Sequence, residues 1–178
     1  DITGAGFKEV LADLEDQVRR LYREDDAPWV VGYSGGKDST ATLQLVWRAL
    51  AALPPEQRVK PVHVISTDTL VENPVVAAWV TRSLEVMGSA AREQGMPIVP
   101  HRLTPEVSQT FWVNLIGRGY PAPRPKFRWC TERLKIKPSN AFITRLIRRH
   151  GEAILVLGIR KAESTARAAV MAKYERLR

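Results

Sequence analysis

Val30-Val31-Gly32-Tyr33-Ser34-Gly35-Gly36-Lys37-Asp38-Ser39 is an apolar run that turns on two glycines and reads on into a helix. Gly35 and Gly36 let the backbone approach a ligand closely and take up positive φ without a Cβ penalty. Amides at the start of the following helix point outward, where the helix dipole favours an anion. Ser34 and Ser39 add hydroxyl donors and Lys37 adds a point charge. A carboxylate, Asp38, in such a cradle makes sense if it holds Mg²⁺ or orients a nucleotide. Two familiar phosphate loops are excluded. A Walker A loop needs Gly where Val31 stands and Ser or Thr where Asp38 stands. The dinucleotide pattern G-x-G-x-x-G is also absent. The bland alternative is a tight, Gly-rich strand-to-helix turn.

Working outward, helical spacing of Phe7, Val10, Leu11, Leu14, Val18 and Leu21 predicts an amphipathic helix over 6–23. A strand is expected over 29–33 and a helix over 39–53, stopped by Pro54-Pro55. A buried strand over 59–66 ends in Thr67-Asp68-Thr69. A long helix over 74–93 follows, with Asn73 as N-cap and Val75, Trp79, Val80, Leu84, Met87 and Ala91 on one face. Further expectations are a strand over 97–103, a short helix over 110–116, a Pro- and Gly-rich loop over 117–125, a basic helix over 138–150, a strand over 153–158 and a last helix. Strands alternating with helices argue an α/β fold, a mostly parallel sheet with helices on both faces.

The 178 residues suit one domain, 1–178. Beginning at Asp1 and ending in a charged helical stretch, the chain is expected to be a piece of something longer. No apolar run approaches the ~18 residues of a membrane span, and no signal peptide is expected. A single cysteine, Cys130, excludes an internal disulfide framework and fits the reducing cytoplasm. The net charge is +8, and it is concentrated: ten Lys/Arg and one acid lie between Arg118 and Arg149. That stretch reads either as a surface for a polyanion or as a solvated basic face.

Three more segments carry signals. Asp68-Thr69, with Glu72-Asn73-Pro74 after it, lies at the carboxyl end of a strand, where open α/β sheets bind ligands. Gly158-Ile159-Arg160-Lys161-Ala162-Glu163-Ser164-Thr165-Ala166-Arg167 repeats the logic of the first loop, and guanidinium groups there suit phosphate. Cys130 stands among Arg128, Arg133 and Lys135. Those cations favour the thiolate, while the competing reading is a buried small hydrophobe.

S-G-G-K-D-S resembles the PP-loop of ATP pyrophosphatases, and G-x-R-x-x-E-S-x-x-R resembles the pattern of phosphoadenosine phosphosulfate (PAPS) reductases and their relatives. Thr69 to Pro74, Arg128-Trp129-Cys130-Thr131 and Lys135 to Pro138 are most similar to DndC-type or SspD-type sulfurtransferases of DNA phosphorothioation. The resemblance implies a Rossmann-like adenine nucleotide alpha hydrolase fold. It implies an ATP pyrophosphatase, producing AMP and pyrophosphate, that adenylates a DNA backbone phosphate for sulfur incorporation. ATP and Mg²⁺ are the implied cofactors. Catalysis would rest on Lys37, Asp38 and Cys130. Nucleotide would be held by Ser34, Gly35, Gly36, Lys37, Asp38, Ser39, Asp68, Thr69, Gly158, Arg160, Glu163, Ser164 and Arg167. Asp38 would take the metal, and Cys130 would be a sulfur relay or a ligand of a 4Fe-4S cluster. DNA would meet Arg124, Lys126, Arg128, Arg133, Lys135, Lys137, Arg145, Arg148 and Arg149. The implied partners are DNA, a cysteine desulfurase and other phosphorothioation subunits, with no membrane; a homo-oligomer is compatible. The chain departs from the cluster pattern, because four thiolates are the norm and it has one.

Competing readings are a PAPS or adenosine phosphosulfate reductase, a nucleotide-gated DNA-binding subunit that hydrolyses nothing, and a tRNA-thiolating enzyme. The reductase uses a cysteine near its C-terminus, and none follows Cys130 in this sequence.

Overall fold

The computed structural model describes residues 5–160 and 165–175. The order of elements is α1 (Ala5–Glu24), β1 (Trp29–Gly32), α2 (Lys37–Ala51), β2 (Val62–Thr67), α3 (Pro74–Glu93), β3 (Ile98–Leu103), α4 (Trp129–Thr131), α5 (Lys137–His150), β4 (Ile154–Val156) and α6 (Thr165–Glu175). The four strands are all parallel, in the order β3-β2-β1-β4.

This order follows from chirality. The β1-α2-β2 and β2-α3-β3 units step the same way across the sheet, so their right-handed crossovers put α2 and α3 on one face. The chain then returns past β2 and β1 to place β4, which puts α5 on the other face. Period-two alternation feeds both layers. Val31, Val62 and Val64 pack with Tyr22, Leu43, Val46, Leu50, Leu84 and Met87 in the larger core. Val30 and Ile65 point the opposite way, onto Phe142 and Leu146 of α5. The direction of winding reverses between β1 and β4. That switch point is where open sheets of this kind bind ligands.

Some expectations are corrected. Of the α1 residues, it is Val18 and Tyr22 that meet the larger core, whereas Phe7, Val10, Leu14 and Leu21 are exposed. On α3, Leu84, Met87 and Ala91 are buried, but Val75 and Trp79 are 76% and 51% exposed. Strand β2 begins at Val62, not Val59, because the residues before it serve a tertiary contact. Lys60 is buried, its Nζ donating to the Asp25 carboxylate at 2.8 Å and lying 5.0 Å from the centre of the Tyr22 ring. The segment expected as a short helix over 110–116 contains a π-helical turn, Val113–Gly117, and a second π-helical turn, Glu132–Ile136, leads from α4 into α5. Single π-turns inside helices often accompany functional sites. Among the described residues no helix is long and apolar enough to cross a membrane.

Candidate functional site: a nucleotide cleft at the switch point

The turn after β1 folds as its residue types dictate. Gly35 has φ +75°, and a Cβ there would stand 2.5 Å from the Trp79 ring. Only glycine fits both the backbone and the space. Ser39, buried in the first turn of α2, ties the loop together: its Oγ donates to the Gly36 carbonyl at 3.0 Å and accepts from the Ser34 amide at 3.2 Å. Gly36 occupies the N-cap of α2 with no side chain closing the helix end. The amides of the first turn are therefore not capped by a side chain, the arrangement that receives an anion.

This end of α2 opens into a cleft of about 660 Å³. Gly32 to Ser34, Gly36, Asp38 and Ser39 line one side, and Ser66 to Asp68 with Glu72 another. Leu155 of β4, with Leu157 and Ile159 after it, supplies an apolar wall, and Ser139, Asn140 and Ile143 bring in α5. One cleft thus combines a phosphate cradle with an apolar recess, as a nucleotide requires.

Gly158 lines the cleft, and Arg160, outside the lining, reaches Asp38. A Cβ on Gly158 would lie 2.7 Å from the Asp38 carbonyl oxygen, so the chain leaving β4 presses directly against α2. Arg160 pairs with the Asp38 carboxylate, its Nε standing 3.1 Å from the nearer oxygen. Asp68 lies across the cleft. It accepts from the Leu70 amide at 2.8 Å and from the guanidinium of Arg102. Burial pushes its carboxyl up, but the Arg102 and Leu70 donors outweigh this and hold it below the usual carboxylate range. Leu70 is held at φ +63°. A non-glycine residue in this region is locally strained, a feature that clusters at ligand sites.

Several expected site residues do not line the cleft. Lys37 is exposed at the first position of α2, and Thr69 is buried. Cys130 is half-buried on α4 and also lies outside the lining. Glu163 and Ser164 fall outside the described residues, as does the side chain of Arg167. The cations expected on DNA divide. Lys135 turns to the cleft and pairs with Glu72 at 3.2 Å. Arg133 bonds the Tyr120 hydroxyl at 2.6 Å and the Gln109 side chain. Arg124, Lys126 and Arg128 are exposed on the loop before α4, while Arg145, Arg148 and Arg149 are exposed on α5. Sequence reasoning missed Arg102; its position at the carboxyl end of β3 was the available signal.

Residues 28–175 match the family described as the phosphoadenosine phosphosulfate reductase domain. The chain belongs to that family. Its fold is accordingly the Rossmann-like adenine nucleotide alpha hydrolase fold, in a family of enzymes acting on nucleotide substrates. This PAPS reductase-like domain is also similar to an uncharacterized protein of Methanocaldococcus jannaschii, at 30% identity over 151 residues. The alignment covers 85% of this chain but 26% of that relative, so the domain spans about a quarter of the curated protein it matches.

An adenine nucleotide fits: the uncapped start of α2 and hydroxyls stand at one end of the cleft, and leucines line the other. Mg²⁺ in nucleotide sites is usually held by one or two carboxylates and the phosphates. Asp38 offers such a carboxylate, for which metal and Arg160 compete. Toward a 4Fe-4S cluster, which usually takes four thiolates, this sequence offers one, Cys130.

Proposed function

We propose that this domain is an ATP pyrophosphatase that activates an acceptor phosphate for sulfur transfer, with the DNA backbone as acceptor. The observation that supports it is S-G-G-K-D-S placed at the switch point, with the start of α2 opening into the cleft. In this reading an acceptor oxygen attacks the α-phosphorus of ATP. The bond from that phosphorus to the β-phosphate bridging oxygen breaks, and pyrophosphate leaves with the electron pair. Ser34, Ser39 and the first amides of α2 bind the departing pyrophosphate. Lys37, exposed at the first position of α2, neutralises its charge; Asp38 would hold Mg²⁺, which would screen the same oxygens. The apolar wall of Leu155, Leu157 and Ile159 takes the base and excludes water.

The product is an adenylated phosphodiester. Sulfur arrives as a protein persulfide, supplied by a cysteine desulfurase, with Cys130 as relay. Its terminal sulfur attacks the DNA phosphorus, and AMP leaves with the former non-bridging oxygen. A thiol from outside this chain, the two-electron reductant, then attacks the Cys130 sulfur, forming a mixed disulfide there and leaving the terminal sulfur on phosphorus with the electron pair. Because Cys130 lies outside the cleft lining, the adenylated acceptor has to reach it after pyrophosphate leaves.

The family description supports a second reading, a sulfonucleotide reductase that releases sulfite from PAPS or adenosine phosphosulfate. Product analysis separates the two. With ATP, Mg²⁺ and DNA the expected products are pyrophosphate and AMP, and Lys37→Ala should slow their release at least ~10²-fold. ADP and orthophosphate as the products would end the pyrophosphatase reading. Sulfite release from a sulfonucleotide, with ATP inert, would establish the second.

A further inference from the structure

Beside the nucleotide cleft lies a second groove of about 810 Å³, between the segment after β3 and one face of α5. Arg102 lines both, so the two lie on either side of a single guanidinium. Four more cations line the groove: Arg133, Lys137, Arg145 and Arg148, against one acid, Glu106. We infer that this groove, through Arg102, Arg133, Lys137, Arg145 and Arg148, binds the phosphodiester backbone of a nucleic acid and leads it to the nucleotide cleft.

Four observations carry this. First, Lys137, Arg145 and Arg148 share a helix face with Ala141 and Thr144 between them. Small residues there leave room for a ligand along α5, while the cations flank it. Second, the outermost of these three cations are eleven residues apart on the helix, about 16 Å at 1.5 Å per residue. A single phosphate cannot engage charges spread that far, whereas a chain with repeating anions can. Third, four of the five cations are arginines, whose planar fork matches phosphate oxygens. Arg133 is already oriented, held by Tyr120 and Gln109 and lying 4.9 Å from the centre of the Tyr120 ring. Fourth, among the described residues no aromatic side chain lines the groove. Bases have nothing to stack on, so recognition runs through phosphates and is tolerant of sequence. The positive field is felt by a neighbour: His101 is held below the usual histidine range by burial and then by Arg145.

The inference rests on the proposed activation of a backbone phosphate for its purpose, but it is tested by binding alone. A fluorescein-labelled DNA duplex is titrated in the absence of ATP, and the affinity is followed against salt. Arg145→Glu with Arg148→Glu should weaken binding at least tenfold. It should also flatten the slope of log K against log salt by about 1.8, two contacts at about 0.9 each. Arg145→Gln with Arg148→Gln should act in the same direction with less risk to folding. Arg20→Glu with Arg23→Glu on α1 makes the same change in net charge away from the groove and should lose far less. An RNA duplex run in parallel, bound with the same dependence on Arg145 and Arg148, would identify the shared phosphodiester chemistry as the determinant. Equal losses in the α1 variant, an unchanged slope in both groove variants, or loss confined to Arg124→Glu with Lys126→Glu would each overturn the groove. Groove-dependent binding without pyrophosphate release would count against the proposed activity alone. DNA-stimulated pyrophosphate release with groove variants binding normally would count against the groove alone.

Discussion

Gly158 and Asp38 are in direct backbone apposition: a Cβ on the first would meet the carbonyl oxygen of the second at 2.7 Å and the Thr42 hydroxyl at 2.6 Å. The obstacle on the Asp38 side is backbone, so a methyl group cannot be relieved by turning a side chain. Gly158→Ala should push the chain leaving β4 off α2, or push α2 off the phosphate loop. Overpacking of this kind costs about 1–3 kcal/mol. Should about 1.4 kcal/mol of that fall on the nucleotide-bound geometry, ATP affinity drops roughly tenfold. Gly95→Ala is the contrasting variant. Gly95 has φ +58° with open space around it, so alanine strains the backbone away from the cleft. It should lower the melting temperature without changing ATP affinity. Isothermal titration of both variants with a non-hydrolysable ATP analogue decides the matter, and equal ATP affinities would refute the coupling.

The Asp38–Arg160 pair gives a second expectation. Both side chains are substantially solvent-exposed, so the pair adds little to folding. Its consequence lies in competition for the carboxylate. Asp38→Ala should slow pyrophosphate release at least ~10²-fold, the scale of losing a preorganised charge, and should raise the Mg²⁺ concentration needed for half-maximal rate. Arg160→Ala should lower that concentration, because the carboxylate loses its guanidinium partner. Steady-state rates across a Mg²⁺ series read both. The same half-saturating Mg²⁺ in all three proteins would remove Asp38 as the metal ligand.

What was legible in the sequence is what is encoded locally. Ser34 to Ser39 specify their own turn, since glycine conformation, hydroxyl donors and the start of α2 lie within six residues. Asp68 was found because a polar residue ending an apolar strand marks the ligand edge of a parallel sheet. Arg102 was not, because in the run Ile98–Leu103 its neighbours read as ordinary strand alternation and its partner Asp68 is 34 residues away. On α1 two apolar stripes, Phe7-Val10-Leu14-Leu21 and Leu11-Val18-Tyr22, lie close together in helical phase. Periodicity finds the helix but not the stripe the sheet covers. Lys60 was obscured for a related reason: only the tertiary contact with Asp25, Tyr22 and Trp29 makes a lysine part of the interior. The π-turns have no compositional mark, since their extra residue is forced by packing.

The last expectation concerns pH. His63 on β2 and His101 on β3 share a hydrogen bond, with 2.9 Å between Nδ1 of the first and Nε2 of the second. Phe142 of α5 packs against both rings, at 5.7 and 4.7 Å between centroids. Such a bond needs at least one ring to accept, so two imidazolium ions cannot share it. Burial, then the nearby His101 and His150, push His63 down to about 4 from an ordinary 6.5, and His101 is lowered as well. The folded value lies below the unfolded one, so stability is fully present above about pH 6.5. As pH falls below that, the unfolded chain takes up protons that the folded chain refuses, and stability declines until folded His63 itself titrates near 4. Melting temperature should therefore fall between pH 6.5 and 5, above the range where most carboxylates titrate. His63→Gln with His101→Gln retains a polar pair without the titration and should flatten that segment of the curve. Thermal melts of both proteins at half-unit pH steps are the measurement. Parallel curves would show that the decline comes from other groups, and that the histidine pair is protonated as readily in the folded chain as in the unfolded one.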